Sequence, residues 1–238
     1  HRHRVVGWEW CDSLDKTSWV AHQTASFLSS LSFSPETWTR VPIWLGDQES
    51  IYWSQVVVHY HEGKSEIHYA VKKLLEYGRP IAALDCISFI LSDDAANMPF
   101  DLCIKALFAA ANSKEQQSSL DGYHISSLIT FLQNSKKIDD DILSKIEWIY
   151  LALLDNHSEG KPKVLMRKLA NEPEFFCELI QKIYRPKNEK KTKKEPTAAE
   201  KNVAQMAWHL LHVWKIPPGL QEDNSFDGEH FRSWLLQV

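Results

Sequence analysis

The 238-residue chain has few glycines and cysteines and no long apolar run, and each shortage argues against a class of protein. Eight glycines are few for the tight turns of a loop-rich all-β fold. The cysteines form no CxxC pair, which argues against a disulfide framework or a cysteine zinc site and favours reduced, buried thiols in a cytoplasmic protein. No apolar run reaches the ~18 residues of a membrane span. The four cysteines are Cys11, Cys86, Cys103 and Cys177.

Catalytic and phosphate-binding motifs are also missing. The sequence has no glycine-rich phosphate loop, no GxSxG and no HExxH, and its formal net charge of −4 creates no general attraction to nucleic acid or membrane. Acidic clusters at Asp93-Asp94 and Asp139–Asp141 fall at predicted helix boundaries, where helix capping explains them. We therefore predict a chain that is not an enzyme and binds no cofactor.

Two histidine pairs are the only candidates for metal ligands. They are His59-x-His61 and His209-x-x-His212, and the second spacing brings both rings to one side of a helix. Zinc takes three or four ligands, and neither pair has a glutamate or cysteine at a matching spacing. Packing is thus the favoured interpretation, and no metal is expected. A hydrolase in which one pair meets an acid distant in sequence is an alternative.

The segment Ser65–Asp93 has the clearest structural pattern, a helix, a sharp turn and a second helix. Apolar residues recur every three or four positions on both sides of the turn. Gly78 suits a left-handed helix end, and Pro80 suits the first turn of the next helix. Two helices joined so closely lie antiparallel and bury their apolar stripes together. The first stripe is Ile67, Ala70, Val71 and Leu74, and the second is Ile81, Leu84, Ile87 and Leu91.

Similar patterns along the chain predict an all-α fold of antiparallel helix hairpins stacked as an α-solenoid, as in tetratricopeptide or HEAT arrays. Helix starts are expected at Pro35, at Asp139, after a capping box at Thr197 and Glu200, and at Asp227. The apolar stripe expected after Asp139 is Ile142, Ile146, Ile149, Tyr150 and Leu153.

Three segments are predicted. Residues 1–185 form the helical array, 186–196 a lysine-rich flexible loop, and 197–238 helices that continue the array. Because the chain begins without methionine and ends within an amphipathic run, we expect it to be a fragment of a longer polypeptide.

Two groups of side chains are candidates for partner contacts. The aromatic ones could anchor a protein, although packing between helices is the competing interpretation. The lysines of segment 182–194 could contact phosphates, although a solvated linker would look the same. The candidates are Tyr52, Trp53, Tyr184, Lys187, Lys190, Lys191, Lys193 and Lys194.

Four segments of the sequence are SPETWTRV with IYWSQV, LLEYGRPIAALD, NEPEFFCELIQKIYRPKNE and WKIPPGLQEDNSFDGEHFRSWL. They resemble the helical-repeat C-terminal regions of large multidomain bacterial proteins. Such proteins carry an NTPase or effector domain upstream, and some are defence-associated. The resemblance implies a sensing or scaffolding role with the chemistry elsewhere, and it assigns no functional residue.

Together these observations predict a non-catalytic protein-binding, sensor or scaffold module of a larger bacterial protein, located in the cytoplasm and connected with antiviral defence. Its partner would be another protein or other domains of the same chain, and we expect it to bind no membrane. A nucleic-acid-binding helical module that uses segment 182–194 is the second hypothesis, and the hydrolase is the third.

Overall fold

The computed structural model describes residues 6–58, 66–115, 122–154, 160–184, 195–220 and 225–238. These residues form thirteen α-helices and three short 3-10 helices, and none of them belongs to a β-strand. The predicted all-α class is therefore confirmed. Within the same residues, no helix is long and apolar enough to cross a membrane.

The chain divides into two compact units, His1–Leu120 and Asp121–Val238. This division falls inside the segment 1–185, and the helices after residue 197 belong to the second unit. The first unit contains α1 (Trp8–Asp12), α2 (Ala21–Ser29), α3 (Pro35–Leu45), α4 (Ser50–Gln55), α5 (Ile67–Glu76), α6 (Pro80–Asp94) and α7 (Phe100–Ala110). The second contains α8 (Gly122–Ser135), α9 (Asp140–Ile149), α10 (Lys163–Asn171), α11 (Pro173–Ile183), α12 (Ala198–Val213) and α13 (Gly228–Leu235).

The predicted hairpin is α5 and α6. Gly78 adopts a φ of 71°, and Pro80 is the first residue of α6, as the turn pattern predicts. The burial of α6 is broader than one stripe because α5 and α7 both pack against it. Among its described side chains, the buried ones are Pro80, Ile81, Ala82, Ala83, Leu84, Cys86, Ile87, Ser88 and Ile90.

An ion pair between Arg79 and Glu115 joins two helix ends of the first unit. The Arg79 guanidinium donates to the Glu115 carboxylate at 2.6 Å, and also to the carbonyl oxygens of Trp53, Ser54 and Val56 at 3.0–3.3 Å. Glu115 in turn accepts the backbone N–H of Ile81 at 2.8 Å. One ion pair thus satisfies carbonyls at the C-terminal end of α4 and an amide in the first turn of α6.

Tyr52 and Trp53 of α4 are core residues. Both side chains are 0% exposed, and their rings meet edge to face with centroids 5.1 Å apart. Burial raises the pKa of the Tyr52 phenol. This corrects the expectation that they contact a partner, because α4 is a short helix with these two adjacent positions turned into the unit.

Helix starts in the second unit follow their local signals. Asp139 accepts the N–H of Asp141 at 2.8 Å, and Asp227 accepts those of Glu229 and His230 at 3.0 and 2.9 Å. These contacts confirm both predicted N-caps.

The buried face of α9 differs from the predicted stripe. Ile149 and Leu153 are exposed, and the buried side chains of this segment include Glu147. The predicted register therefore placed two apolar residues in the core that in fact lie at the surface. The buried residues are Leu143, Ile146, Glu147, Tyr150, Leu151 and Leu154.

Glu147 is a fully buried carboxylate in the second unit. It accepts the backbone N–H groups of Val164 and Leu165 at 3.1 and 2.8 Å, and the side-chain amide of Gln133 at 2.7 Å. Burial raises its pKa, although these hydrogen bonds act in the opposite direction. Because Val164 and Leu165 lie in the first turn of α10, Glu147 ties that helix start to α9.

Candidate partner-binding surface

The side chains predicted to contact a partner differ in their exposure to solvent, and five of them lie outside the described residues. Tyr184 is 57% exposed at the C-terminal end of α11 and is available to a partner, whereas Tyr52 and Trp53 are not. Lys187, Lys190, Lys191, Lys193 and Lys194 lie outside the described residues. Helix α12, which follows that segment, has an exposed surface that was not among the predicted partner contacts.

Helix α12 begins at the predicted capping box. The Thr197 side chain accepts the N–H of Glu200 at 3.2 Å, and Glu200 accepts the Thr197 N–H at 2.7 Å and its hydroxyl at 2.9 Å. Two backbone donors that a helix start leaves unpaired are thereby satisfied. This fixes the start and rotation of the helix.

One side of α12 belongs to the core of the second unit. Ala207, Leu210 and Val213 are buried against α11 and the 3-10 segment Leu151–Leu153. They share one hydrophobic cluster, which also includes Leu165, Leu169 and Leu179. The amphipathic pattern of the helix is therefore used for packing, as its apolar spacing predicts.

The opposite side of α12 carries Trp208. The positions 201, 205, 208 and 212 follow one another at intervals of four, three and four residues, so Lys201, Gln205, Trp208 and His212 share one helix face. All four are exposed, and Trp208 keeps 55% of its surface accessible. Among the described residues, Trp208 is neither a member of that hydrophobic cluster nor one of the partly buried residues packed against it.

Trp208 lies at the wall of a pocket of about 290 Å³ between α12 and the 3-10 segment Leu151–Leu153. The wall combines apolar side chains with groups that form hydrogen bonds. Exposed Ile149 and Leu153 lie close in sequence to Ala152, the pocket residue of that segment. The lining residues are Ala152, Gln205, Met206, Trp208, His209 and His212.

The pair His209 and His212 contributes to this pocket. His212 is exposed, while the Nε2 atom of His209 is buried and has no hydrogen-bond partner among the described residues. Within that same part of the chain, no three histidine, cysteine or acidic residues are grouped so that they hold a metal ion. The first pair, His59 and His61, lies outside the described residues.

Two exposed lysines lie on α12 or just after its end. Lys201 is one of the exposed face residues, and exposed Lys215 follows the end of the helix. Neither lysine takes part in any ion pair found among the described residues. Glu200, the nearest acid on the helix, is used in the capping box and lies about 100° around the helix axis from Lys201.

A sequence signal for Trp208 exists. The apolar stripe of α12 consists of Val203, Met206, Ala207, Leu210, Leu211 and Trp214, and Trp208 is not part of it. A large aromatic residue outside the stripe of an amphipathic helix, among polar neighbours, indicates a surface position.

Searches against protein-family models, curated proteins and solved structures found no match for this chain.

Proposed function

We propose that the chain is a non-catalytic protein-binding module that holds its partner on the exposed face of α12, with Trp208 as the central anchor. The observation that carries this proposal is a tryptophan 55% exposed beside a pocket of about 290 Å³. Tryptophan is strongly enriched among the residues that dominate binding energy at protein interfaces. Its neighbours Met206 and Ala152 add apolar surface that a partner would cover.

The proposal includes the finer architecture, antiparallel helix hairpins stacked as a solenoid. In support, consecutive helices pack on one another from α4 to α7 and from α8 to α12, and α5 also contacts α7. Arrays of this kind bind partners by surface complementarity over several helices. Four sequence segments resemble the helical-repeat C-terminal regions of large multidomain bacterial proteins. We extend the proposal accordingly to a sensor or scaffold module of a larger bacterial protein in the cytoplasm, connected with antiviral defence.

Affinity capture with three versions of the chain tests this function. Wild type, Trp208→Ala and the control Ile43→Ala are immobilised and exposed to bacterial extracts with and without phage infection. Ile43 is 76% exposed on α3, so its truncation also removes exposed apolar surface. We expect a specific protein that wild type and Ile43→Ala retain and Trp208→Ala loses, because removing a hot-spot tryptophan costs about 2 kcal/mol or more of binding energy.

Two results would contradict the proposal. Retention that is independent of Trp208 would remove the role of this surface. Recovery of nucleic acid alone, released steeply by salt and unaffected by Trp208→Ala, would favour binding through segment 182–194 instead.

A further inference from the structure

A pocket of about 440 Å³ opens on the first unit, beside the start of α2. It is lined by Ser18 and Trp19, which precede the helix, and by Gln23 and Phe27, which lie four residues apart and share one of its faces. We propose that this pocket binds a neutral saccharide, whose ring stacks on Trp19 and whose hydroxyl groups bond to Gln23 and Ser18. The inference concerns a different surface from α12 and does not depend on the function proposed for that helix.

The aromatic wall of the pocket is held in place by other rings. Phe27 packs edge to face against Trp19 with centroids 5.2 Å apart, stacks on Trp44 at 6.2 Å and meets Trp10 at 6.4 Å. All four side chains are only partly buried. A tryptophan ring supported in this way at the surface offers a flat apolar area that does not have to be ordered on binding.

The polar part of the wall presents hydrogen-bond donors. The Gln23 side-chain oxygen accepts the backbone N–H of Val20 at 3.1 Å, so the two N–H groups of the same amide are left for another acceptor. Within the residues that the structure describes, neither these N–H groups nor the Ser18 hydroxyl has a protein partner. A ligand that brings acceptors to the pocket therefore meets an amide that the chain has already oriented.

The lining residues select among classes of ligand. None of them is charged, so a phosphate or carboxylate would lose its hydration without gaining a counter-charge. A quaternary ammonium would suit the rings, but it has no acceptor for the Gln23 amide, and the Lys16 ammonium already lies 4.3 Å from the centre of the neighbouring Trp44 ring. A saccharide fits both parts of the wall. Its C–H groups pack on the electron-rich face of an aromatic ring, while its hydroxyl groups accept and donate hydrogen bonds around the edge.

Ligand-observed NMR and calorimetry on the 238-residue chain test the inference with a panel of neutral sugars. The panel contains glucose, galactose, mannose, N-acetylglucosamine, maltose and cellobiose. We expect at least one of them to bind with a millimolar Kd. Trp19→Ala should weaken this Kd about tenfold or more, because it removes the stacking surface.

Gln23→Glu provides a second variant that is closely matched in shape. A carboxylate keeps an acceptor for the Val20 N–H but removes the amide donors, so the Kd should weaken about fivefold with little change in melting temperature. This variant still decides the question if Trp19→Ala fails to fold. The control Tyr123→Ala removes an aromatic ring that is 73% exposed in the second unit, and it should leave the Kd unchanged.

Three results would overturn the inference. The first is that no sugar of the panel binds to the wild-type chain at millimolar concentrations. The second is sugar binding that Trp19→Ala and Gln23→Glu leave unchanged, which would assign the sugar to another surface. The third is binding of adenosine monophosphate or tetramethylammonium in place of the sugars, which would assign the pocket to a nucleotide or an organic cation. Capture of a protein through Trp208 is measured separately, so its failure and the failure of this inference are distinguishable.

Discussion

Replacing Glu147 tests a fully buried polar interaction of the second unit. Glu147→Ala leaves three donors without their acceptor, the N–H groups of Val164 and Leu165 and the amide of Gln133. A buried donor left unpaired costs ~1–3 kcal/mol, while removing the buried charge returns part of that cost. We expect a net loss of about 2–4 kcal/mol in the free energy of unfolding, measured by urea denaturation.

The pH dependence of the Glu147 effect gives a second, independent measurement. Because burial raises the pKa of Glu147 above its value of about 4.3 in the unfolded chain, the folded chain binds this proton more tightly. The resulting stability is fully present below the unfolded pKa and is lost as the pH rises through the folded pKa. Wild type should therefore lose stability relative to Glu147→Gln as the pH rises above the unfolded pKa.

The control is Glu178→Ala, which removes an exposed carboxylate from α11. It should change the free energy of unfolding by less than about 0.5 kcal/mol, because exposed ion pairs contribute little. The reasoning is refuted if Glu147→Ala costs no more than this control, or if the difference between wild type and Glu147→Gln does not vary with pH.

The remaining predictions concern steric fit and the hairpin core. A Cβ on Gly160 would lie 1.7 Å from Ser126 Oγ, so Gly160→Ala should lower the free energy of unfolding by ~1–3 kcal/mol. Gly122→Ala makes only ordinary contacts and should cost less, and an equal loss would contradict the steric argument. Leu74 is fully buried, so Leu74→Ala should lower the free energy of unfolding by ~2–5 kcal/mol. Leu236 is exposed, so Leu236→Ala should lower it by less than ~0.5 kcal/mol. Similar losses for the two variants would contradict the assignment of Leu74 to the core. Both pairs are compared by thermal and urea denaturation.

Helix ends could be predicted from the sequence because their chemistry is local. The N-caps at Asp139 and Asp227, the capping box at Thr197, and the left-handed Gly78 depend on residues within four positions of each other. Short-range hydrogen bonds and backbone preferences are sufficient to determine these features, so they do not depend on contacts with distant parts of the chain.

Burial depends on contacts between segments distant in the chain, and the sequence predicted it less well. Glu147 is buried because the first turn of α10, seventeen residues away, supplies its donors. Tyr52 and Trp53 looked like anchors because a short helix with adjacent aromatic residues has no periodicity that distinguishes core from surface. For the candidate site, the sequence shows that Trp208 lies outside the apolar stripe of α12. The pocket beside it could not be predicted, because one of its walls comes from a segment more than fifty residues earlier in the chain.

The ion pair between Arg79 and Glu115 also affects how the first unit opens. One guanidinium holds carbonyls at the end of α4, while its carboxylate partner holds the amide of Ile81 in α6. Unwinding of either end breaks the pair and leaves the other end with unsatisfied groups, so the two helices should open as one cooperative block rather than fray separately. Amide protons on both sides of this junction would then exchange with solvent at closely similar opening free energies.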